Sequence, residues 1–189
     1  TFSSRGLGDV YKRQVEIWKA VANGERIGGA IATNEKVIMA KPRHGTTAAT
    51  KMLFNIAEAN QSLTRETRKR ISAPEAAANL LNLSKQRFKI VIISDFQGFP
   101  GDWGEIVKRL ARKNSLDLVH IFDPIEESLP PPGRYTVSDG KEHAIFSSRD
   151  SVLSIEYEKA FDQKKSQLSQ LAKLSSVIYR NISTDTQSI

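Results

Sequence analysis

Short apolar runs alternate with amphipathic stretches along most of the chain. Residues 26–33 (RIGGAIAT), 88–94 (FKIVIIS) and 116–122 (LDLVHIF) are short and rich in apolar and β-branched residues, which predicts buried strands. Residues 36–40 (KVIMA) follow the first run after a short turn, so these two strands are predicted to pair as a hairpin. The run 88–94 has the composition of a central strand in a parallel sheet.

Helices are predicted at 15–22, 46–61, 74–83, 102–113 and 155–174. Thr46 or Thr47 is the expected N-cap of the second helix, and Pro74 suits the first turn of the third. Three more short strands are predicted at 134–137, 143–146 and 176–180. The first two of these are expected to form an edge hairpin. The alternation of strands and helices predicts one α/β domain with an open, mostly parallel sheet and helices on both faces.

The first 14 residues are interpreted as a cloning or sequencing scar. Ser4–Gln14 (SRGLGDVYKRQ) reads as one frame of a widely used transposon sequencing adapter, and every codon matches. Residues 15–189 are then expected to be the C-terminal portion of a domain that is truncated at its N-terminus. The helix 15–22 would be the tail of a longer helix, and the fragment is expected to be poorly stable because a central strand is missing.

The composition is that of an ordinary soluble globular domain, with 189 residues, 39% hydrophobic and 26% charged. Cysteine is absent, which excludes disulfides and thiolate metal sites. No apolar run approaches the roughly 20 residues of a membrane-spanning helix. The net charge of +7 falls to +5 without the predicted scar, whose cations outnumber its single anion by two. The basic cluster Arg65, Arg68, Lys69 and Arg70 has no interleaved aromatic residues, which argues against nucleic-acid binding.

Candidate chemistry lies where the predicted strands end, because ligands of open α/β sheets bind beyond the carboxyl ends of the strands. Asp95 directly follows the clearest strand and Ser94, and the loop 44–47 opens a helix. Carboxylate and hydroxyl oxygens suit a hard cation such as Mg²⁺. Simpler interpretations stay open: Asp95 can cap the next turn, the threonines can be N-caps, and His120 can be a core residue of its strand.

Five segments carry a more specific resemblance: NGERIGGAIATNE, KPRHGTTAATKML, KIVIISDF, LDLVHIFDPIEESLPPPGRYTVSDG and NISTDT, in this order. The segment IVIISDFQGF resembles the fourth-strand signature of von Willebrand factor A-like domains, whose sheet is of the Rossmann type. More narrowly, the chain from Val15 to Ile189 resembles the bacterial family called domain of unknown function 58.

The resemblance implies a metal-ion-dependent adhesion site. In such a site a first strand supplies Asp-x-Ser-x-Ser, a loop supplies Thr and the fourth strand supplies Asp. Asp95 matches the last of these, and Thr46, which follows Gly45, matches the loop threonine, with Thr47 as the alternative. The Asp-x-Ser-x-Ser ligands would lie upstream of Val15. A bound Mg²⁺ would keep one coordination position for an acidic side chain of a partner protein.

These features together predict a non-enzymatic, cytoplasmic protein-interaction domain. The family resemblance implies a MoxR-type AAA+ ATPase as its partner. One alternative is a phosphate-handling or hydrolytic α/β enzyme that uses Asp95 at the strand end. Another is a structural scaffold without a site. Neither a membrane segment nor a nucleic-acid partner is expected.

Overall fold

The structure, a computed structural model, describes residues 5–32, 36–61, 79, 87–96, 103–138, 143–174 and 177–185. Within these ranges the helices are α1 (Arg5–Ala22), α2 (Thr46–Gln61), α3 (Trp103–Ala111), α4 (Pro124–Glu127) and α5 (Ser151–Leu174). The strands are β1 (Ile27–Ala32), β2 (Val37–Arg43), β3 (Lys89–Ser94), β4 (Ser115–Phe122), β5 (Arg134–Ser138), β6 (His143–Ser147) and β7 (Ile178–Ser183). The basic cluster at 65–70 and the predicted helix 74–83, except for the helical Asn79, lie outside the described residues.

Three parallel strands form the main sheet, in the order β3-β4-β7. Every residue of β4 after Ser115 is buried, as its apolar sequence predicts. Because successive side chains of a strand point to opposite faces, Leu118 and His120 face one side of the sheet and Asp117 the other. The central strand therefore places one buried histidine and one buried aspartate on opposite faces.

Helices cover both faces of this sheet. On the face that carries Leu118, α3 and α5 form one core with side chains that include Val107 and Leu168. On the opposite face lies α1, which contacts β3 and β4 and brings Glu16 within 3.9 Å of Arg180 on β7. The predicted α/β class, with a parallel sheet between helices, is confirmed.

A second, smaller core joins the hairpin β1-β2 to α1 and α2 around Ala49 and Ile56. A Cβ at Gly28 would lie 2.6 Å from the backbone nitrogen of Pro42, so only glycine permits this approach of the strands. The predicted hairpin is confirmed, but β2 runs to Arg43 and includes residues predicted as loop. Pro42 is tolerated there because each strand of a two-stranded sheet pairs on one side only.

The prediction that β3 is a central strand is not met in the described part of the chain, where β3 pairs only with β4. Its apolar sequence reflects cover on both faces, by α1 on one and by the core of α3 and α5 on the other. The hydrophobic pattern of a strand indicates which of its faces are buried. It does not indicate how many neighbouring strands pair with its edges. The hairpin β5-β6 pairs as predicted, but it forms its own two-stranded sheet and is not an edge of the parallel sheet.

Several element boundaries differ from the prediction, and three of them are informative. α1 begins at Arg5, so it runs through residues interpreted as a scar, an interpretation that stays a prediction. α5 begins at Ser151 and not at 155, because the carboxylate of Asp150 accepts the backbone N–H of Val152 at 3.0 Å and caps the helix. β7 ends at Ser183, three residues later than predicted.

Candidate functional site

The three parallel strands end at one edge of the sheet, here called the carboxyl edge. It carries Asp95 after β3, Asp123 after β4 and Asp185 after β7. The backbone N–H of Thr184 donates to the carbonyl of Phe122 at 2.9 Å, so the strands stay tied together up to this edge. Ligands of open α/β sheets bind here, and the sequence predicted Asp95 at this position.

A tight turn after β3 fixes Asp95, which is half-buried. The hydroxyl of Ser94 accepts the backbone N–H of Phe96 at 3.1 Å and lies 3.5 Å from Oδ1 of Asp95. Phe96 has a left-handed backbone, with φ of 51°, and buries its ring in the main core. Such a backbone costs about 1 kcal/mol or more for a bulky residue, and burial of the ring offsets it. The turn therefore holds the Asp95 carboxyl group at the end of the strand.

Thr46 and Thr47 are the first two residues of α2, and both are exposed. Gly45 precedes the helix with φ of 86°, and its carbonyl accepts the N–H of Ala49. Neither threonine side chain has a hydrogen-bond partner within the described ranges, so neither is the N-cap that the sequence predicted. The helix packs against α1, β1 and β2, and the joining of Thr46 and Asp95 in one site stays a prediction.

His120 lies on β4 near the carboxyl edge and has no exposed surface. Its Nδ1 lies 3.2 Å from the hydroxyl of Tyr179 on β7. The rings of Phe96, Phe122 and Phe161 surround it, with centroids 5.6 to 6.0 Å from that of the imidazole. Its Nε2 is buried and has no hydrogen-bond partner in the described part of the chain. The structure therefore makes His120 a core residue, as the simpler interpretation held.

The surroundings of His120 keep it neutral near pH 7. Burial lowers the pKa of His120 to about 4, the charge of Lys164 adds to this, and the charge of Asp95 opposes it. Burial also raises the pKa of its partner Tyr179 to about 12. Neither group exchanges a proton readily at neutral pH, so they form an uncharged polar pair inside the core.

Asp123 is used by the fold itself. Its carboxylate accepts the backbone N–H of Ile125 at 3.1 Å, and Glu126 Oε1 accepts the N–H of Asp123 at 3.2 Å. With Pro124 in the first turn, this reciprocal arrangement is a capping box that starts α4. The sequence analysis missed this helix, although the spacing of Asp123, Pro124 and Glu126 could have predicted it.

Asp117 was also missed as a polar feature. Its side chain is 5% exposed on the face covered by α1, and its Oδ2 accepts a hydrogen bond from Nη2 of Arg180 at 2.9 Å. Oδ1 of Asp117 has no hydrogen-bond partner among the described residues. A single acidic residue inside an apolar strand was the available signal, and its arginine partner lies 63 residues away in sequence.

The metal site stays a prediction in the described part of the chain. No group of three or more His, Cys, Asp or Glu side chains in these ranges is placed to hold a metal ion. Asp95, Ser94 and Thr46 are oxygen donors of the kind that Mg²⁺ prefers, but they are fewer than its six ligands. As for the membrane, the described helices include none that is both long and apolar enough to cross it.

Comparison with known proteins identifies the family of this chain. Among solved structures it is similar to the conserved hypothetical protein BatB from Bacteroides thetaiotaomicron, with 12% identity over 92% of this chain and 80% of that chain and a TM-score of 0.49. It is also similar to an aerotolerance-related membrane protein from Bacteroides fragilis, with 15% identity, the same coverages and a TM-score of 0.45. No curated protein matches it. The family model described as "Protein of unknown function DUF58" matches residues 15–167, and the chain therefore belongs to that family.

Proposed function

We propose that this chain is part of a non-enzymatic, von Willebrand A-like protein-interaction domain that binds its partner at the carboxyl edge. The observation that carries the proposal is the position of Asp95, which the Ser94–Phe96 turn fixes at the end of β3. To make this turn, Phe96 adopts a left-handed backbone, which is energetically unfavourable for a bulky residue. A strained backbone beside a half-buried carboxyl group is a common feature of binding sites.

Each residue has a specific role in this proposal. Asp95 presents its carboxylate to a divalent cation, and Thr46, or Thr47 as the alternative, adds a hydroxyl from the start of α2. Both threonines are exposed and not engaged by described residues, so their hydroxyls are available to a ligand. The remaining ligands, an Asp-x-Ser-x-Ser set, are expected upstream of Val15. Mg²⁺ bound there would supply a positive charge to which an acidic side chain of the partner binds.

The proposed partner is a MoxR-type AAA+ ATPase in the cytoplasm, as the family resemblance implies. A carboxylate-reading site suits this kind of assembly, because the partner needs only one exposed Asp or Glu at the contact. Metal-assisted docking of this kind forms and breaks no covalent bond. It can therefore follow the conformational cycle of an ATP-driven partner.

The alternative of an enzyme that uses Asp95 has less support. A hydrolytic site at this edge would need a second group to move protons. Of the neighbours on the described strands, His120 is fully buried with a pKa near 4, and Asp123 is held in the capping box. The alternative of a scaffold without a site is separated from the proposal by the test below.

The test measures the thermal midpoint of the full-length protein with and without Mg²⁺. A ligand that binds only the folded state raises the midpoint, so we expect Mg²⁺ to stabilise the wild type and not Asp95→Asn. Asp162→Asn is the matched control, because Asp162 is an exposed acid on α5. A wild type that ignores Mg²⁺ would contradict the metal-assisted form and favour the scaffold. Equal loss of the Mg²⁺ effect in both variants would show that Asp95 has no special role.

A further inference from the structure

A cleft of about 750 Å³ lies at the amino edge of the parallel sheet, the edge opposite to Asp95. We call it the basic cleft, because its lining includes Arg87, Lys89, Arg112 and Lys113. Arg87 lies just before β3 and Lys89 begins it, and the other two belong to the turn that joins α3 to β4. Among the described residues that line it, none is acidic.

The four cations have no ion pair to any residue that the structure describes. Glu105 on α3 accepts a hydrogen bond from Lys108 at 2.7 Å, which is the main cause of its lowered pKa. The charge of Arg112 adds a smaller lowering of that pKa. Four like charges that face one concave surface focus a positive potential into it. The cleft therefore attracts anions, and its described lining residues supply no negative charge.

The cleft has a fixed frame. Asn114 Oδ1 accepts the backbone N–H of Phe88 at 3.1 Å, and its Nδ2 donates to the carbonyl of Leu110 at 2.8 Å. The N–H of Ser115 donates to the carbonyl of Phe88 at 3.0 Å. These bonds tie the start of β3 to the end of α3, where Leu110 is fully buried. The backbone that carries the four cations is thus held in place from both sides.

The position of a helix end explains two of the four cations, and the other two have no such explanation. Arg112 and Lys113 follow the C-terminus of α3, where the partial negative charge of the helix end favours cations. Lys89 begins β3 and Arg87 lies two residues before it, and neither has such a reason to line the same space. The fold gives no structural reason for Arg87 and Lys89 to lie beside the end of α3.

We propose that the basic cleft binds a compact anion that carries two or more phosphate groups. Guanidinium groups bind phosphate oxygens with two parallel hydrogen bonds, and Arg87 and Arg112 supply one from each side. The volume lies within the roughly 300–1,000 Å³ of small-molecule sites. Phe88 is half-buried and offers no exposed aromatic platform for bases, so the cleft suits a small ligand better than a nucleic-acid strand.

The basic cleft and Asp95 lie at opposite ends of β3, so this inference does not rest on the function proposed for the carboxyl edge. Asp95→Asn is expected to leave anion binding unchanged. Loss of Mg²⁺ or partner binding would likewise leave the basic cleft intact.

The test is calorimetric titration of the full-length protein with inorganic pyrophosphate and, separately, with orthophosphate. We expect pyrophosphate to bind more tightly and its affinity to fall with added salt. The double variant Arg87→Gln/Arg112→Gln should bind roughly tenfold or more weakly, as expected for the loss of charge-assisted bonds. The control Arg149→Gln/Lys159→Gln removes the same charge from exposed positions outside the cleft and should bind as the wild type.

Three results would overturn the proposal. One is a wild type that does not bind pyrophosphate. A second is equal weakening by both double variants, which would mean attraction to the overall charge of the protein. The third is a single-stranded oligonucleotide that binds more tightly than pyrophosphate and depends on the same two arginines. All replaced side chains are exposed, so the variants are expected to fold, and their urea midpoints check this.

Discussion

Polar side chains inside the parallel sheet differ in burial and in their partners from those at its carboxyl edge. In the interior, burial lowers the pKa of His120 to about 4 and so keeps it neutral near pH 7, and Asp117 pairs with Arg180. At the edge, Asp95 is half-buried and held by a local turn. The interior groups are thus enclosed in the core, whereas the carboxyl group at the edge belongs to a residue that is partly open to solvent. Substitutions should therefore separate stability from binding, and the expected effects below run from the largest change in stability to the smallest.

The largest effect is expected from protonation of His120. Its folded-state pKa of about 4 lies below the ordinary value of 6.5, so between these values the unfolded chain binds more protons than the folded one. The stabilising contribution is complete above pH 6.5 and is lost as the pH falls towards 4. The loss should reach about 3 kcal/mol, because each pKa unit corresponds to about 1.4 kcal/mol.

His120→Phe isolates this contribution, because the variant keeps every carboxyl group of the wild type but has no buried imidazole. Urea denaturation of both proteins between pH 6.5 and 4 gives the two slopes of unfolding free energy against pH. The wild type should have the steeper slope. Parallel slopes would mean that His120 is not the buried neutral group described here.

Removal of Arg180 should leave Asp117 buried without its charge partner. Breaking a fully buried pair costs about 3–5 kcal/mol, and because Arg180 is 41% exposed we expect a smaller loss, about 2 kcal/mol, for Arg180→Met. Urea denaturation at pH 7 measures it. The double variant Asp117→Leu/Arg180→Met removes both charges and should be more stable than the single variant. A double variant that is as unstable as Arg180→Met, or less stable still, would show that the ion pair is not what matters.

Tyr179→Phe should have a smaller effect. It removes the hydroxyl that lies 3.2 Å from Nδ1 of His120 and keeps the buried ring. The expected cost is about 1 kcal/mol, that of one hydrogen bond in the interior. The measurement is the urea midpoint at pH 7 for Tyr179→Phe made in the wild type and in His120→Phe. The loss of stability should be smaller in the His120→Phe background, where the hydrogen bond is already absent. Equal costs in both backgrounds would exclude a contribution from this hydrogen bond.

The sequence predicted the parts of the molecule that depend on local pattern. The strands β3 and β4, the helix α2 and the hairpins follow from apolar periodicity and turn residues, and all are present. The position of Asp95 followed from its place after a buried strand. That β3 pairs only with β4 among the described residues could not be predicted, because the apolar pattern of a strand indicates which faces are covered and not which strands pair with it.

Other features depend on contacts between residues that are distant in sequence. The Asp117–Arg180 pair forms only because β4 and β7 lie side by side. The basic cleft likewise needs the start of β3 and the end of α3 to meet, because its four cations come from two segments that are separate in sequence. The start of α2 was misjudged, because Gly45 takes the position before the helix that was predicted for a threonine.

The most direct test of the central claim compares Asp95→Asn with the wild type in two measurements on the full-length protein. One is the affinity for the MoxR-type ATPase in the presence of Mg²⁺, and the other is the urea midpoint in the absence of Mg²⁺. We expect affinity to fall roughly tenfold or more, about 1.4 kcal/mol, while stability stays within about 0.5 kcal/mol. Unchanged affinity would contradict the carboxyl edge as the binding surface. A loss of stability comparable to that of Arg180→Met would contradict the distinction between edge and interior.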